Sequence, residues 1–339
     1  MDRGRIVIPS AVARGGTVPV ILGPMSPTTD AARAACGAGD SRSASTGVPV
    51  APSEAGLLGP VAVRGLAAAL GIRPTKALGQ NFVHDPGTVR RIVRRAGVRP
   101  DETVLEIGPG IGTLTQGLLE AGAHVTAVEL DKKLPAVLAE TLAAYDHLRI
   151  VPGDILKTDI RVLLENQPFK VAANLPYYIT TPILLALLEQ HLPITHIVTM
   201  VQKEVAERMI AAPGSKIYGA LSVAVQYHTE PRIVREVAPR SFIPAPEVAS
   251  AVIACRRREK PPVDVTDERM FFRVARASFG QRRKTLANAL LGTGASKEIV
   301  RLALDAAAID EKRRGETLSL AEFAHLADAF SAMQTEGER

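Results

Sequence analysis

The stretch that decides the fold is Thr103-Val104-Leu105-Glu106-Ile107-Gly108-Pro109-Gly110-Ile111-Gly112. A run of β-forming residues leads straight into three glycines, and a helical stretch follows. Glycines at such a turn let backbone approach a ligand at the N-terminus of a helix, where unpaired N–H groups and the helix dipole gather. A nucleotide-like cofactor is implied. Glu129 stands 21 residues after Gly108 and ends the next β-rich run, a position from which a carboxylate accepts hydrogen bonds from a ribose diol. On these features alone, a nicotinamide dinucleotide is a serious competitor for the site.

Outward from this loop, short β-rich runs at 103–107, 124–130, 148–151, 169–173 and 196–201 have helical stretches between most of them. Such alternation predicts a parallel, doubly wound sheet. Upstream, Asp85-Pro86 reads as an N-cap and first helical residue, with Val89, Ile92, Val93 and Ala96 at helical spacing behind it. Downstream, 221–228, 232–237 and 249–256 read as strands joined by tight connections, predicting an antiparallel edge. Pro261-Pro262 marks a boundary, and the remainder predicts helices at 267–279, 281–291, 296–307 and 319–331. The last carries Leu320, Phe323, Ala324 and Ala327 on one side. The expected fold class is thus α/β: a Rossmann-like doubly wound domain at 61–260 and a small all-helical domain at 261–339. Residues 1–60 are rich in Ala, Gly and Pro without a sustained period, which predicts a disordered extension. The extension carries Asp2, Asp30, Asp40 and Glu54, unlike a transit peptide, and lacks the apolar core of a signal peptide. A start codon assigned too far upstream accounts for it equally well.

Bulk properties narrow the function classes. With 339 residues and 46% hydrophobic content the chain is globular. The net charge is +6, and 256–284 holds ten Lys/Arg against four Asp/Glu, which fits either a polyanionic partner or a solvated helix face. Cys36 and Cys255 are too far apart for zinc or redox spacing, and the seven histidines form no HxxxH pair, so no protein-held metal is expected. Apolar runs break at Pro or Gly before the ~20 residues of a membrane span, so a soluble protein of a reducing cytoplasm is expected.

Two further strand ends carry chemistry. Gly153-Asp154 sets another carboxylate at the carboxyl edge of the sheet, suited to the adenine amine of a bound cofactor. Asn174-Leu175-Pro176-Tyr177 joins a polar amide, a turn-fixing proline and an aromatic ring. An adenine amine is a poor nucleophile because its lone pair is delocalised into the ring. The Asn174 side-chain oxygen and the Leu175 carbonyl offer two acceptors that would hold it pyramidal and favour positive charge on nitrogen, while Tyr177 would stack on the base. The aminium product is acidic enough to lose its proton to water, so no general base is called for. Tyr178 next door reads as packing.

Gly79-Gln80-Asn81-Phe82-Val83, the glycine loop, Glu129-Leu130-Asp131, Gly153-Asp154, Asn174–Tyr177, Gln202-Lys203-Glu204, Tyr218-Gly219-Ala220-Leu221-Ser222-Val223 and Phe242-Ile243-Pro244-Ala245-Pro246-Glu247-Val248 occur in one order. Over about 76–330 the chain resembles the bacterial small-subunit (16S) rRNA adenine dimethyltransferase family. The resemblance implies a class I methyltransferase sheet and S-adenosylmethionine as cofactor. It places cofactor contacts on Asn81, Val83, Gly108, Gly110, Glu129, Asp154 and Asn174. Catalytic roles fall on Asn174, Leu175 and Tyr177, with Phe242 as a second aromatic closing over the target base. The implied substrate is a pair of adjacent adenosines in the terminal hairpin of 16S rRNA within the immature small subunit, met by a monomer.

In the C-terminal part, Gly280-Gln281-Arg282-Arg283-Lys284-Thr285-Leu286 puts three cations at a predicted helix start, where they lessen a favourable dipole. This suggests that Arg282, Arg283 and Lys284 contact RNA phosphates, with Arg256, Arg257, Arg258, Arg273 and Arg276 as extensions of the same surface. Three rivals are weighed: a 23S rRNA adenine methyltransferase conferring macrolide resistance, a non-catalytic ribosome assembly factor of the same fold, and a nicotinamide-dependent oxidoreductase. The last leaves Asn174–Tyr177 and the basic tail unexplained.

Overall fold

The computed structural model describes Gly65, Ala68 and residues 79–281 and 283–337; the predicted extension at 1–60 and Arg282 lie outside the described residues. A short strand β1 (Phe82–Val83) leads into α1 (Pro86–Ala96), whose N-cap Asp85 accepts from the Gly87 N–H. The sheet then builds from β2 (Thr103–Ile107), α2 (Thr113–Glu120), β3 (His124–Glu129), α3 (Leu134–Thr141), β4 (Leu148–Pro152), α4 (Ile160–Leu163), β5 (Phe169–Asn174), α5 (Thr180–Glu189) and β6 (Ile194–Gln202). Next come α6 (Lys203–Met209), α7 (Ala220–His228), β7 (Thr229–Val237), β8 (Phe242–Ile243) and β9 (Ser250–Arg257).

Seven strands form one sheet in the order β4-β3-β2-β5-β6-β9-β7, with β2 to β6 mutually parallel and β9 antiparallel to both β6 and β7. The inner strands are largely apolar on both faces because both are covered. Val104, Ala172 and Val198 point to the side closed by Val89, Ile92 and Ala96 of α1 and Leu114 and Leu118 of α2. Leu105 and Val171 point to the side closed by Leu184, Leu187 and Leu188 of α5. Apart from the main sheet, β1 pairs antiparallel with β8, Val83 opposite Phe242.

The C-terminal helices are α8 (Glu268–Gly280), α9 (Leu286–Leu290), α10 (Lys297–Ala306) and α11 (Leu320–Gly337). Ser296 caps α10 through the Ile299 N–H, and Ser319 and Glu322 cap α11 reciprocally. Phe271, Val274, Leu286, Leu304, Phe323 and Phe330 form their core.

Two sequence expectations are corrected. The run 221–228 is not a strand but helix α7. Leu221 and Val225 pack into the core under the sheet, while Val223, Ala224 and Tyr227 pack into the core of the C-terminal helices. Burial on both sides leaves no polar stripe, and without one helical periodicity is invisible. The predicted helix at 281–291 begins only at Leu286. Arg283 and Lys284 therefore sit exposed in the loop after the C-terminal end of α8, where cations complement the helix dipole instead of opposing it.

Among the described residues, no helix is long and apolar enough to cross a membrane, and no three His, Cys, Asp or Glu side chains group to hold a metal.

Candidate functional site

A cavity of about 960 Å³ opens along the carboxyl ends of β2, β3, β4 and β5, the crevice where doubly wound sheets receive ligands. Its walls include the segment 79–83, the glycine loop, Glu129, Gly153-Asp154 and Asn174 to Tyr178. The sequence-predicted Asn81, Val83, Gly108, Gly110, Glu129, Asp154, Asn174, Leu175 and Tyr177 all meet on this one surface.

Backbone geometry explains the loop. Gly108, Gly110 and Gly112 all have positive φ, at 65°, 62° and 88°. A Cβ on Gly108 would enter open space, so this glycine keeps the cavity floor clear. One on Gly112 would come within 2.9 Å of Leu138, so that glycine serves the packing of α3.

Glu129 is 5% exposed. Its Oε2 accepts from Gly110 N–H (3.1 Å) and its Oε1 from Asp131 N–H (2.8 Å), so the carboxylate braces the loop and faces the cavity together. Burial pushes its pKa up, and the two backbone donors pull it back. Asp131 in turn accepts from Gln80 Nε2 at 3.0 Å, tying the 79–83 segment to the end of β3. Asp154 caps its own turn through the Leu156 N–H at 3.0 Å.

Asn174 donates its side-chain Nδ2–H to the Asn81 carbonyl at 2.8 Å. A carbonyl can only face the NH₂ end of an amide, so this bond assigns the side-chain oxygen to the other direction. The Leu175 N–H is spent on the Met200 carbonyl at 3.1 Å, anchoring the turn to β6. Tyr177 hydrogen-bonds Ser250 through its hydroxyl at 2.6 Å, which pins the ring at the cavity wall; burial raises its pKa.

Three features depart from the sequence reading. Phe242 is not at the cavity: it is 2% exposed, opposite Val83 in the β1–β8 pair and inside the core with Val89 and Ile92. The apolar pairing of β8 with β1 claims its ring. Tyr178, expected to be packing, is 53% exposed and lines the cavity beside Gly79. Glu106, which the sequence singles out for no role, is 1% exposed, lines the cavity, and leaves Oε2 without a hydrogen bond. Burial pushes its carboxyl up to about 8, Thr115 counters this and Glu129 adds repulsion. An acid inside the apolar run of β2 was the available signal.

The arginines expected to extend the basic surface all have partners within the protein. Arg256 pairs with Glu230 (3.1 Å), and Arg276 pairs with Glu189 (2.9 Å). Arg258 donates to the Gln226 and Thr229 carbonyls, and Arg273 to that of Thr293. Arg257 is half-buried near Glu268. The Arg256 pair links neighbouring strands of the sheet, and the Arg276 pair links α8 to α5.

Strand order, glycine loop and cavity together define a class I methyltransferase, a fold the chain shares with solved methyltransferases. The chain belongs to the ribosomal RNA adenine dimethylase family, whose model matches residues 73–330. It is 50% identical over 264 residues to a ribosomal RNA small subunit methyltransferase A of Geobacillus thermodenitrificans, covering 75% of this chain and 90% of that one. Among solved structures it is similar to a dimethyladenosine transferase from Plasmodium falciparum, with TM-score 0.62, 25% identity, and coverage of 76% of this chain and 98% of that one. The 23S rRNA methyltransferase ErmE superposes with TM-score 0.56 at 28% identity, covering 74% of this chain and all of that one.

Proposed function

We propose that this chain uses S-adenosylmethionine to dimethylate the N6 amines of two adjacent adenosines in the 3′-terminal hairpin of 16S rRNA, acting as a monomer on the immature small subunit in the cytoplasm. The observation that carries the reading is the Asn174 amide, held by the Asn81 carbonyl at 2.8 Å with its oxygen directed elsewhere, in the wall of the cavity. The 50% identity to a small-subunit enzyme, against 28% to the 23S enzyme, favours 16S rRNA as substrate.

The residues fit the cofactor. Gly108 leaves open space above the loop, and the buried Glu129 carboxylate has lone pairs beyond those that meet Gly110 and Asp131, so a ribose diol finds an acceptor there. Asp154 offers a carboxylate to an adenine amine, and Asn81 and Val83 form the opposite wall. When bound, S-adenosylmethionine supplies an electrophilic methyl group on a positively charged sulfur.

The chain's own residues prepare the nucleophile. The Asn174 Oδ1 and the Leu175 carbonyl accept the two N–H groups of the target adenine amine, and Tyr177 stacks on the ring. These acceptors stabilise the charge that grows on nitrogen, and positioning supplies much of the remaining acceleration. A monomethylated amine still offers one N–H to them; a dimethylated amine offers none, so the finished product loses both anchors. Residues 61–260 form the catalytic part. Residues 261–339 form an RNA-binding part, with Arg282, Arg283 and Lys284 on phosphates.

The test is mass spectrometry of rRNA digests after immature, unmethylated small subunits and, in parallel, protein-free 23S rRNA are incubated with the protein and labelled S-adenosylmethionine, wild type beside Asn174→Ala. Label in N6,N6-dimethyladenosine with wild type only is the expected result. Label confined to 23S rRNA would replace the substrate assignment, and none in either would leave a non-catalytic assembly factor.

A further inference from the structure

Helix α1 carries Arg90, Arg91, Arg94 and Arg95 and no acidic residue. At 100° per residue these four side chains form one stripe about 140° wide, opposite the buried stripe of Val89, Ile92 and Ala96. Arg90, Arg94 and Arg95 are exposed. Arg91 is half-buried, and its Nε is shielded from solvent without a hydrogen-bond partner. None of the four forms an ion pair among the described residues, in contrast to Arg208, Arg256, Arg276 and Arg313, each of which faces a glutamate.

Helix stability alone does not account for this. Arg94 and Arg95 in the last turn complement the dipole, but Arg90 and Arg91 lie mid-helix. The pairs 90/94 and 91/95 also set like charges four residues apart, an arrangement that works against the helix. Such a stripe is stabilised by a polyanion laid along it. Its position fits one: α1 begins three residues after the Asn81–Val83 wall of the cavity, and at 1.5 Å per residue the arginines start about 6 Å along the helix from its first residue and extend roughly 8 Å further.

We infer that the Arg90, Arg91, Arg94 and Arg95 stripe of α1 binds the phosphate backbone of the RNA flanking the target base, as a second grip separate from the C-terminal loop. The inference rests on the RNA reading above. Arginine forks suit phosphate oxygens, and the unpartnered Arg91 Nε gains an acceptor when a phosphate docks.

The test uses the full-length protein, wild type beside Arg90→Gln/Arg91→Gln/Arg94→Gln/Arg95→Gln, with an RNA comprising the 16S 3′-terminal hairpin and its flanks. Binding is titrated from about 50 to 200 mM salt. Each lost phosphate contact lowers the slope of log affinity against log salt by about 0.7–0.9, so the expected loss is roughly 2.8–3.6 for the quadruple variant if all four arginines meet phosphates, with affinity down at least about tenfold at low salt. S-adenosylmethionine affinity and thermal midpoint stay at wild-type values and show that the cavity and fold are intact. A variant that binds this RNA with unchanged slope and affinity overturns the inference while leaving the methyltransferase reading standing. Wild-type protein that neither binds nor methylates rRNA overturns that reading instead. If the stripe is needed only for capture by anionic phosphatidylglycerol vesicles, it belongs to a lipid surface and the inference fails.

Discussion

Asn174 Nδ2 and the Asn81 carbonyl meet at 2.8 Å although 93 residues separate them in sequence. That contact makes the β1 segment the orienting group for the amide at the end of β5. Asn174→Ala removes one of the two acceptors and should lower the single-turnover methylation rate by about 10²- to 10³-fold. Asn174→Asp keeps an acceptor but turns a carboxylate oxygen toward the Asn81 carbonyl, so it should not rescue the rate. RNA affinity should change by no more than a few-fold in either variant. Wild-type turnover in the Asp variant would show that the Asn81 contact does not set the orientation.

Tyr177 and Phe242 should separate cleanly. Tyr177→Phe keeps the ring and loses only the Ser250 bond, so kcat/KM should fall a few-fold at most. Tyr177→Ala removes base stacking of about 1–3 kcal/mol, roughly 5- to 150-fold in kcat/KM. Phe242→Ala should instead cost about 3–5 kcal/mol of stability, read by denaturant unfolding, with the turnover of the folded fraction largely kept. A Phe242 variant of full stability and no turnover would return that ring to the site.

The Glu106 carboxyl, raised by burial to about 8 from an ordinary 4.5, keeps its proton in the folded chain where the unfolded chain has lost it. Its contribution to stability is complete below about 4.5 and is lost as pH climbs through about 8. Thermal midpoints of the cofactor-free protein should therefore decline from about pH 5 to 8, and Glu106→Gln should flatten that decline. Parallel profiles for the two proteins would mean that Glu106 is ionised throughout.

Arg283 and Lys284 are exposed in the loop after α8. Arg283→Glu/Lys284→Glu should weaken rRNA binding and reduce its salt dependence, while S-adenosylmethionine affinity, followed by calorimetry, stays unchanged. Equal RNA affinity across the salt series would remove this loop from the interface.

The parallel strands were legible within two residues at each end because each is a short β-rich run broken by a turn or a helix. The cavity wall was legible because glycine and acidic residues at strand ends have few other uses. What escaped the sequence depends on a second surface. Helix α7 lost its periodicity to burial on both sides. Phe242 was assigned to the cavity because nothing local to 242–248 reveals that β8 pairs with β1, 159 residues upstream at Val83. The basic run 256–284 showed its charge but not its partners, and the glutamates that neutralise Arg256 and Arg276 come from β7 and α5.

Helix α7 also has a bearing on the spacing of the proposed substrate contacts. One side of it belongs to the core beneath the sheet and the other to the core of the C-terminal helices, with Tyr218 and Tyr227 wholly buried at the junction. The offset from the Arg283–Lys284 loop to the Asn174 amide is therefore set by interlocked side chains instead of a linker. Under the proposed function, the chain would work as a gauge of fixed span: an RNA gripped at that loop would present only nucleotides at a matching distance to the amide, and a neighbouring adenine would enter only when the RNA itself is shifted.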